Sequence, residues 1–337
     1  MDKRIRLTFL ILFASFTLAH GQITQVYDLS LNEKTLRGNN IRSGDHLDQP
    51  LEILHLDTNI VVVNDFGDFR ISVFDKNFNF IKNTLESSTI RPENLFYNDG
   101  SLCFISSNQL LCYDLNDLIT NSTTKAISQD FPLLSNYNGH LQLISENRFC
   151  YFNPTSYQNE RIHILAEDLS VLRSFGQIPS YLVDSTLREN YYLMSTSSID
   201  TEGEAIFIGY KYCDYLEKYE TKTGKRISIA HEISSQFPPN YKVSINGIGF
   251  PEDDFSYYVK LKTFKDRLYA LYKYGVPYFP TETEVPMRLL VFDTRTLELI
   301  DQYILDEDLI DLAIRNEDEF IGLCYYCDDP LRLYKLK

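Results

Sequence analysis

Six times along this chain a strand-like apolar stretch closes on an aromatic residue or a leucine, and this recurrence restricts the available folds more than any single motif. The clearest unit, residues 60–81, reads IVVVNDFGDFRISVFDKNFNFI: a β-branched strand, a polar turn, an alternating strand, a second turn and a third strand. Its Arg70-Ile-Ser-Val-Phe pattern returns as Arg161-Ile-His-Ile-Leu165, and related strands recur at Gln109–Asp114, 215–220, Arg288–Asp293 and Leu331–Lys335. The closing residues Phe74, Tyr113, Leu165, Tyr219, Phe292 and Tyr334 lie 39, 52, 54, 73 and 42 positions apart. Four-stranded propeller blades take roughly 40–50 residues each. Six anchors therefore predict an all-β, six-bladed β-propeller, in preference to a β-sandwich of two domains.

Each anchor follows another apolar strand, at 60–63, 102–105, 149–152, 205–208, 268–272 and 320–325. Weaker inner-strand candidates precede these at 51–56, 140–144 and 309–314. The high content of Tyr (24) and Phe (22) suits strands. The last blade runs out after its third strand, while residues 23–29 (ITQVYDL) form an orphan strand at the other end. A closed ring has no free sheet edge at its seam, so the N-terminal strand is expected to complete the last blade.

The first 21 residues read as a signal peptide. Lys3, Arg4 and Arg6 precede a mainly apolar stretch at 7–18, and Ala19-His20-Gly21 supplies small residues for cleavage before Gln22. That apolar run is shorter than the roughly 20 residues a bilayer requires, and no Cys follows it for lipid attachment. Residues 22–337 are then one exported domain, periplasmic or extracellular, with no stable membrane insertion. Losing Asp2, Lys3, Arg4 and Arg6 removes a net +2, so the formal charge of −15 becomes −17. A surface this acidic repels phosphate backbones, which excludes a nucleic-acid partner.

Residues 61–81 resemble an NHL-type propeller repeat, in which an Asp, an Arg-Ile pair and a Phe-Asp follow at this spacing. Residues 161–176 (RIHILAEDLSVLRSFG) resemble the same repeat with its closing Gly. With the signal peptide, acidic balance and irregular blades, the chain is similar to the TolB-like six-bladed propeller proteins exported by bacteria. It lacks a Gly-x-Gly-Pro-Gly stretch; the nearest segment is Gly176-Gln-Ile-Pro179. The resemblance implies that Asp65 and Arg70 form an intrablade ion pair bracing a turn. Six-bladed lactonase-like enzymes gather Asp, Glu and Asn around calcium in the central tunnel. Here Glu52, Glu93 and Asp311, near inner-strand starts, are the candidates, and no paired Asn set completes a cage.

Other chemistry is sparse. His55 and His140 fall in inner-strand stretches but differ in strand parity, so they do not make a matched zinc ring. Cys103 and Cys112 face each other across a hairpin if Ser107-Asn108 is its turn, as a disulfide or as two core thiols. Cys324-Tyr-Tyr-Cys327 has redox spacing, but on a strand residues three apart face opposite sides. Asn121-Ser-Thr123 matches a glycosylation sequon. No Gly-rich phosphate loop, nucleophile elbow or zinc-protease helix occurs.

The long fifth repeat is the most distinctive feature. It holds Phe237-Pro-Pro-Asn-Tyr241, Gly247-Ile-Gly-Phe-Pro251 and Tyr272-Lys-Tyr-Gly-Val-Pro-Tyr-Phe-Pro280. Pro and Gly among aromatics make a rigid contact surface, and Tyr274, Tyr278 and Phe279 are its expected contacts; packing over the blade edge is the competing reading. Arg42, Asp45 and His46, in the loop entering blade one, form a second-rank candidate. The expected function is an exported, monomeric, non-enzymatic scaffold that binds a protein, peptide or glycan through loops on one face. The alternative is a metal-dependent (Ca or Zn) hydrolase or lyase working in the central funnel. No cofactor is expected under the first reading and calcium is the natural one under the second.

Overall fold

The computed structural model describes residues 23–29, 34–41, 47, 50–66, 68–87, 90, 92–106, 109–120, 126–130, 139–145, 148–153, 160–177, 195–200, 202–210, 214–232, 241–243, 249–251, 258–273, 285–324 and 327–336. Three short strands open the chain: β1 (Ile23–Tyr27), β2 (Lys34–Leu36) and β3 (Asn39–Ile41). Blade one is β4 (Pro50–His55), β5 (Asn59–Phe66), β6 (Asp68–Asp75) and β7 (Phe80–Ser87). Blade two is β8 (Glu93–Asn98), β9 (Ser101–Ser106), β10 (Gln109–Asp114) and β11 (Ile127–Asp130), with a one-turn helix α1 (Leu115–Thr120) before its last strand. Blade three is β12 (His140–Ser145), β13 (Arg148–Phe152), β14 (Glu160–Ala166) and β15 (Val171–Gln177). Blade four is β16 (Ser195–Ile199), β17 (Ala205–Tyr210), β18 (Leu216–Glu220) and β19 (Arg226–Glu232). After a separate hairpin of β20 (Tyr241–Val243) and β21 (Gly249–Pro251), blade five is β22 (Tyr258–Phe264), β23 (Arg267–Tyr272), β24 (Arg288–Asp293) and β25 (Leu299–Leu305). Blade six is β26 (Leu309–Asn316), β27 (Glu319–Cys324) and β28 (Leu331–Lys335), completed by β3.

Every blade is an antiparallel meander, and the inner strands β4, β8, β12, β16, β22 and β26 meet their neighbours around a closed ring. The middle strands are apolar on both faces because each face lies against a different blade. In β5, Ile60 and Val62 pack with Ala313 and Ile321 of blade six, while Val61 and Val63 pack with Leu102 and Phe104 of blade two. The alternation of side chains along a strand divides a continuous apolar run between two cores. Six such layers, one at each interface between blades, replace a single central core.

The expected closure needs correction. Residues 23–27 do not complete blade six: β1 runs parallel to β19 on the rim of blade four. β2 runs parallel to β25 on blade five, and only β3 pairs antiparallel with β28 to fill the fourth position of blade six. The first strands thus strap three consecutive blades. Tyr27 fixes the first station: its buried hydroxyl donates to Asp214 Oδ1 at 2.5 Å, lies 2.8 Å from the Tyr258 hydroxyl, and its ring meets Phe292 edge-on. Gln302 Nε2 donates to the Leu29 carbonyl at 3.1 Å, and Gly38 N donates to the Asp306 carboxylate, which also accepts from Tyr334. The sequence signal was misleading because β1 is the more apolar strand, whereas β3 (Asn39-Asn-Ile41) needs only its last side chain in the core.

These roles separate experimentally. In a chain beginning at residue 22, deleting residues 22–33 should lower the melting temperature yet leave a monomeric, closed ring, because β3 stays in place. Deleting 22–43 should unfold or oligomerise it. Equal behaviour of the two truncations in melting and gel filtration would contradict this division.

Candidate functional site

Because each blade starts at the axis and meanders outward, its connections alternate between the two faces of the disc. On one face the turns are short: five residues or fewer in every case except the α1 connection of blade two. On the other face lie the connections 42–49, 131–139, 178–194, 233–257 and 273–287. Tyr274, Tyr278 and Phe279 belong to the last of these and Arg42, Asp45 and His46 to the first. All six lie outside the described residues, as does Asn121. The strands that flank the six, as distinct from Asn121, end on this one face.

At the axis every sheet presents an inner edge with unpaired backbone groups, and buried groups of this kind must find partners. Among the described residues, a side chain of one blade meets a backbone group of the next at five of the six interfaces, and at the sixth two side chains pair. Glu52 Oε2 accepts from Leu95 N at 3.1 Å, joining blades one and two. Asn94 Nδ2 donates to the Gly139 carbonyl at 2.7 Å, joining two and three. Gln142 Nε2 donates to the Ser197 carbonyl at 2.9 Å, joining three and four. Thr196 Oγ1 accepts from Leu261 N at 3.3 Å, joining four and five. Asp311 Oδ2 lies 3.5 Å from Lys260 Nζ and accepts from Ile53 N at 3.1 Å, closing five to six and six to one. Gly139 has no substitute at its link: a Cβ there would fall 2.1 Å from the Tyr151 hydroxyl.

The structure brings two of the three expected tunnel carboxylates together, but around a lysine. Lys260 Nζ lies 3.8 Å from Glu52 Oε1 as well as 3.5 Å from Asp311 Oδ2, and Lys262 Nζ lies 3.9 Å from Asp311 Oδ1. Burial alone would push the Lys260 ammonium down, but Asp311 and Glu52 outweigh it and hold its pKa above the usual lysine range. A charged ammonium thus fills the position a divalent ion would take between these carboxylates, and Asp311, fully buried, spends its remaining lone pairs on Ile53 N and Leu312 N. Glu93 lies at the start of β8, where its charge adds to burial in raising the Tyr151 hydroxyl. The lysines were missed in the sequence because β22 sits behind the long 233–257 connection. The signal was there: Lys260 and Lys262 alternate with apolar Val259 and Leu261.

His55 and His140 occupy opposite ends of their inner strands. The side chain of Asp65 lies outside the described residues. In blade three the equivalent arginine pairs across blades: fully buried Arg161 donates to Gly176 O at 2.9 Å, to Glu217 Oε2 at 3.1 Å and to the Tyr219 hydroxyl at 2.9 Å, and it also donates to Tyr210. Burial pushes the Glu217 carboxyl up, but Arg161 and Arg226 prevail and hold it below the usual range. His163 Nδ1 and Ser174 Oγ lie 2.8 Å apart as a cross-strand pair, with the imidazole stacked on Tyr151. Cys103 and Cys112 are directly opposed, with Cα atoms 4.2 Å apart, and are disulfide-bonded.

The axial charges give a measurable coupling. Lys260→Met should destabilise the fold by about 3 kcal/mol, because it leaves two carboxylates short of their cation. In the Lys260→Met/Asp311→Asn double variant part of that loss should return, a coupling of about 1 kcal/mol or more in denaturant unfolding. Strictly additive losses would show that the pair does not interact.

No protein-family profile and no curated protein sequence matches this chain. Solved structures do. A Bacteroides fragilis protein assigned as exported superposes with a TM-score of 0.55 at 11% identity, over 93% of this chain and 98% of that one. Regucalcin, a calcium-binding protein from Agrobacterium tumefaciens, superposes with a TM-score of 0.51 at 8% identity, over 90% and 95%. Among the described residues no helix is long and apolar enough to cross a membrane. At these identities the likeness is one of fold, and it places the chain among the six-bladed β-propellers.

Proposed function

We propose that the protein is an exported, non-enzymatic binding module whose partner, a protein, peptide or glycan, docks on the face that carries the long connections. The observation behind this reading is the asymmetry of the disc: connections of 17, 25 and 15 residues (178–194, 233–257 and 273–287) all leave the same ends of the strands. Long connections in compact domains are commonly functional. Export rests on the signal-peptide pattern and is supported by the Bacteroides fragilis neighbour. NHL/TolB-like membership rests on the repeats at 61–81 and 161–176.

The alternative, a metal-dependent hydrolase or lyase in the funnel, draws on the regucalcin-like fold, whose solved member is described as calcium-binding. Fold alone does not carry that property over. In this chain Glu52 and Asp311 are engaged with Lys260, which favours the binding reading.

Tyr274, Tyr278 and Phe279 are the proposed anchors, with Arg42, Asp45 and His46 as polar contacts on the same face. Truncating an aromatic anchor typically costs about 2 kcal/mol of binding, roughly thirtyfold in affinity. Tyr278→Ala and Phe279→Ala should therefore each abolish retention of partners from cell-envelope extract while leaving the melting temperature unchanged. A melting temperature lowered by several degrees with partners retained would show that these rings belong to the core.

A further inference from the structure

β27 ends at Cys324, and Cys327 lies beyond it in the connection to β28, so the strand-parity objection to this Cys-x-x-Cys pair does not apply. The two sulfurs are bonded, with Cα atoms 5.7 Å apart. Cys324 is buried and Cys327 is partly exposed. As a staple this disulfide adds little, since loop-closure stabilisation grows with loop length and this loop is very short. The same turn is already fastened by Cys324 N donating to the Pro330 carbonyl at 2.8 Å and by the pairing of Leu323 with Leu331.

A carboxylate adjoins this pair. Glu307 Oε2 lies 3.5 Å from Cys327 Sγ. At that distance the carboxylate oxygen is in van der Waals contact with the disulfide sulfur, and once the sulfur is a thiol or thiolate the same oxygen is placed to accept its proton or to share a metal with it. The other oxygen, Oε1, is held by Arg332 NH2 at 2.8 Å, which fixes the direction of the carboxylate. The Glu307, Cys324 and Cys327 ligand atoms all lie within 4.8 Å of one another. A tetrahedral zinc ion, with bonds of about 2.3 Å to sulfur and about 2.0 Å to oxygen, spaces its ligand atoms about 3.5 Å apart. Two thiolates and one carboxylate form a set that zinc accepts, leaving one position for solvent.

We propose that Cys324, Cys327 and Glu307 form a redox-gated zinc site on the face of blade six that carries the long connections. In the oxidised state the sulfurs are joined and no metal binds. An external dithiol reduces the pair: its two electrons break the S–S bond, it leaves as its own disulfide, and its two protons end on the Cys324 and Cys327 sulfurs. Zinc then displaces both protons and is bound by two thiolates and the Glu307 carboxylate.

The test uses the full mature chain in a Cys103→Ser/Cys112→Ser background, with Co²⁺ as a spectroscopic substitute for zinc. After anaerobic reduction, one equivalent of Co²⁺ should produce a sulfur-to-cobalt charge-transfer band that stoichiometric Zn²⁺ abolishes. The oxidised protein should show no band. Cys327→Ser should lose it, and Glu307→Gln should bind at least tenfold more weakly while its melting curve stays unchanged. Should the double-serine background fail to fold, the same titration on the reduced wild-type chain, with and without Cys327→Ser, gives the same comparison. Absence of the band in the reduced protein, or an equal band in Cys327→Ser, would overturn the proposal.

Discussion

Everything in this molecule depends on how six open sheet edges are satisfied around one axis. A sheet buried at its inner edge cannot leave amides and carbonyls unpaired, and no further strand fits at the centre of a ring. Among the described residues, one polar contact per interface meets part of this demand: Glu52, Asn94, Gln142, Thr196, the Lys260–Asp311 pair, and Asp311 again. The six apolar layers between blades supply most of the burial. The axial contacts fix which blade meets which, and in what register, because five of them reach across to a specific backbone group and the sixth to a specific carboxylate.

The same geometry decides what the axis can do. A cluster of acidic residues at the centre of a ring would attract a divalent cation, and Glu52 and Asp311 alone would form the start of such a site. Blade five inserts Lys260 between them, with Lys262 beside it. The internal cation lies on the covalent chain and is not exchangeable, so the charge is balanced without a ligand.

The rim follows a related logic. Outer strands also end in free edges, and the chain covers those of blades four and five with its own parallel strands before β3 closes blade six. That arrangement explains how much of the fold was legible. The blade count and the second and third strands were readable because residues such as Ile60, Val61, Val62 and Val63 face two cores at once and leave an unbroken apolar run. Which N-terminal strand closes the ring was not readable, because a rim strand buries few side chains and its partner is set by pairing hundreds of residues away. For the same reason Glu52 and Asp311 could be named from position, whereas their engagement with Lys260 depends on three blades meeting at the axis. Cys324 and Cys327 misled for a local reason: the strand was expected to run through both, and it stops at the first.

The claim that the axis is a closed structural contact is tested most directly by crystallography of residues 22–337 grown with excess calcium, with anomalous data collected. The account predicts the Lys260 ammonium between Glu52 and Asp311 and no anomalous peak on the axis. A full-occupancy calcium coordinated by those two carboxylates, with Lys260 displaced, would contradict it.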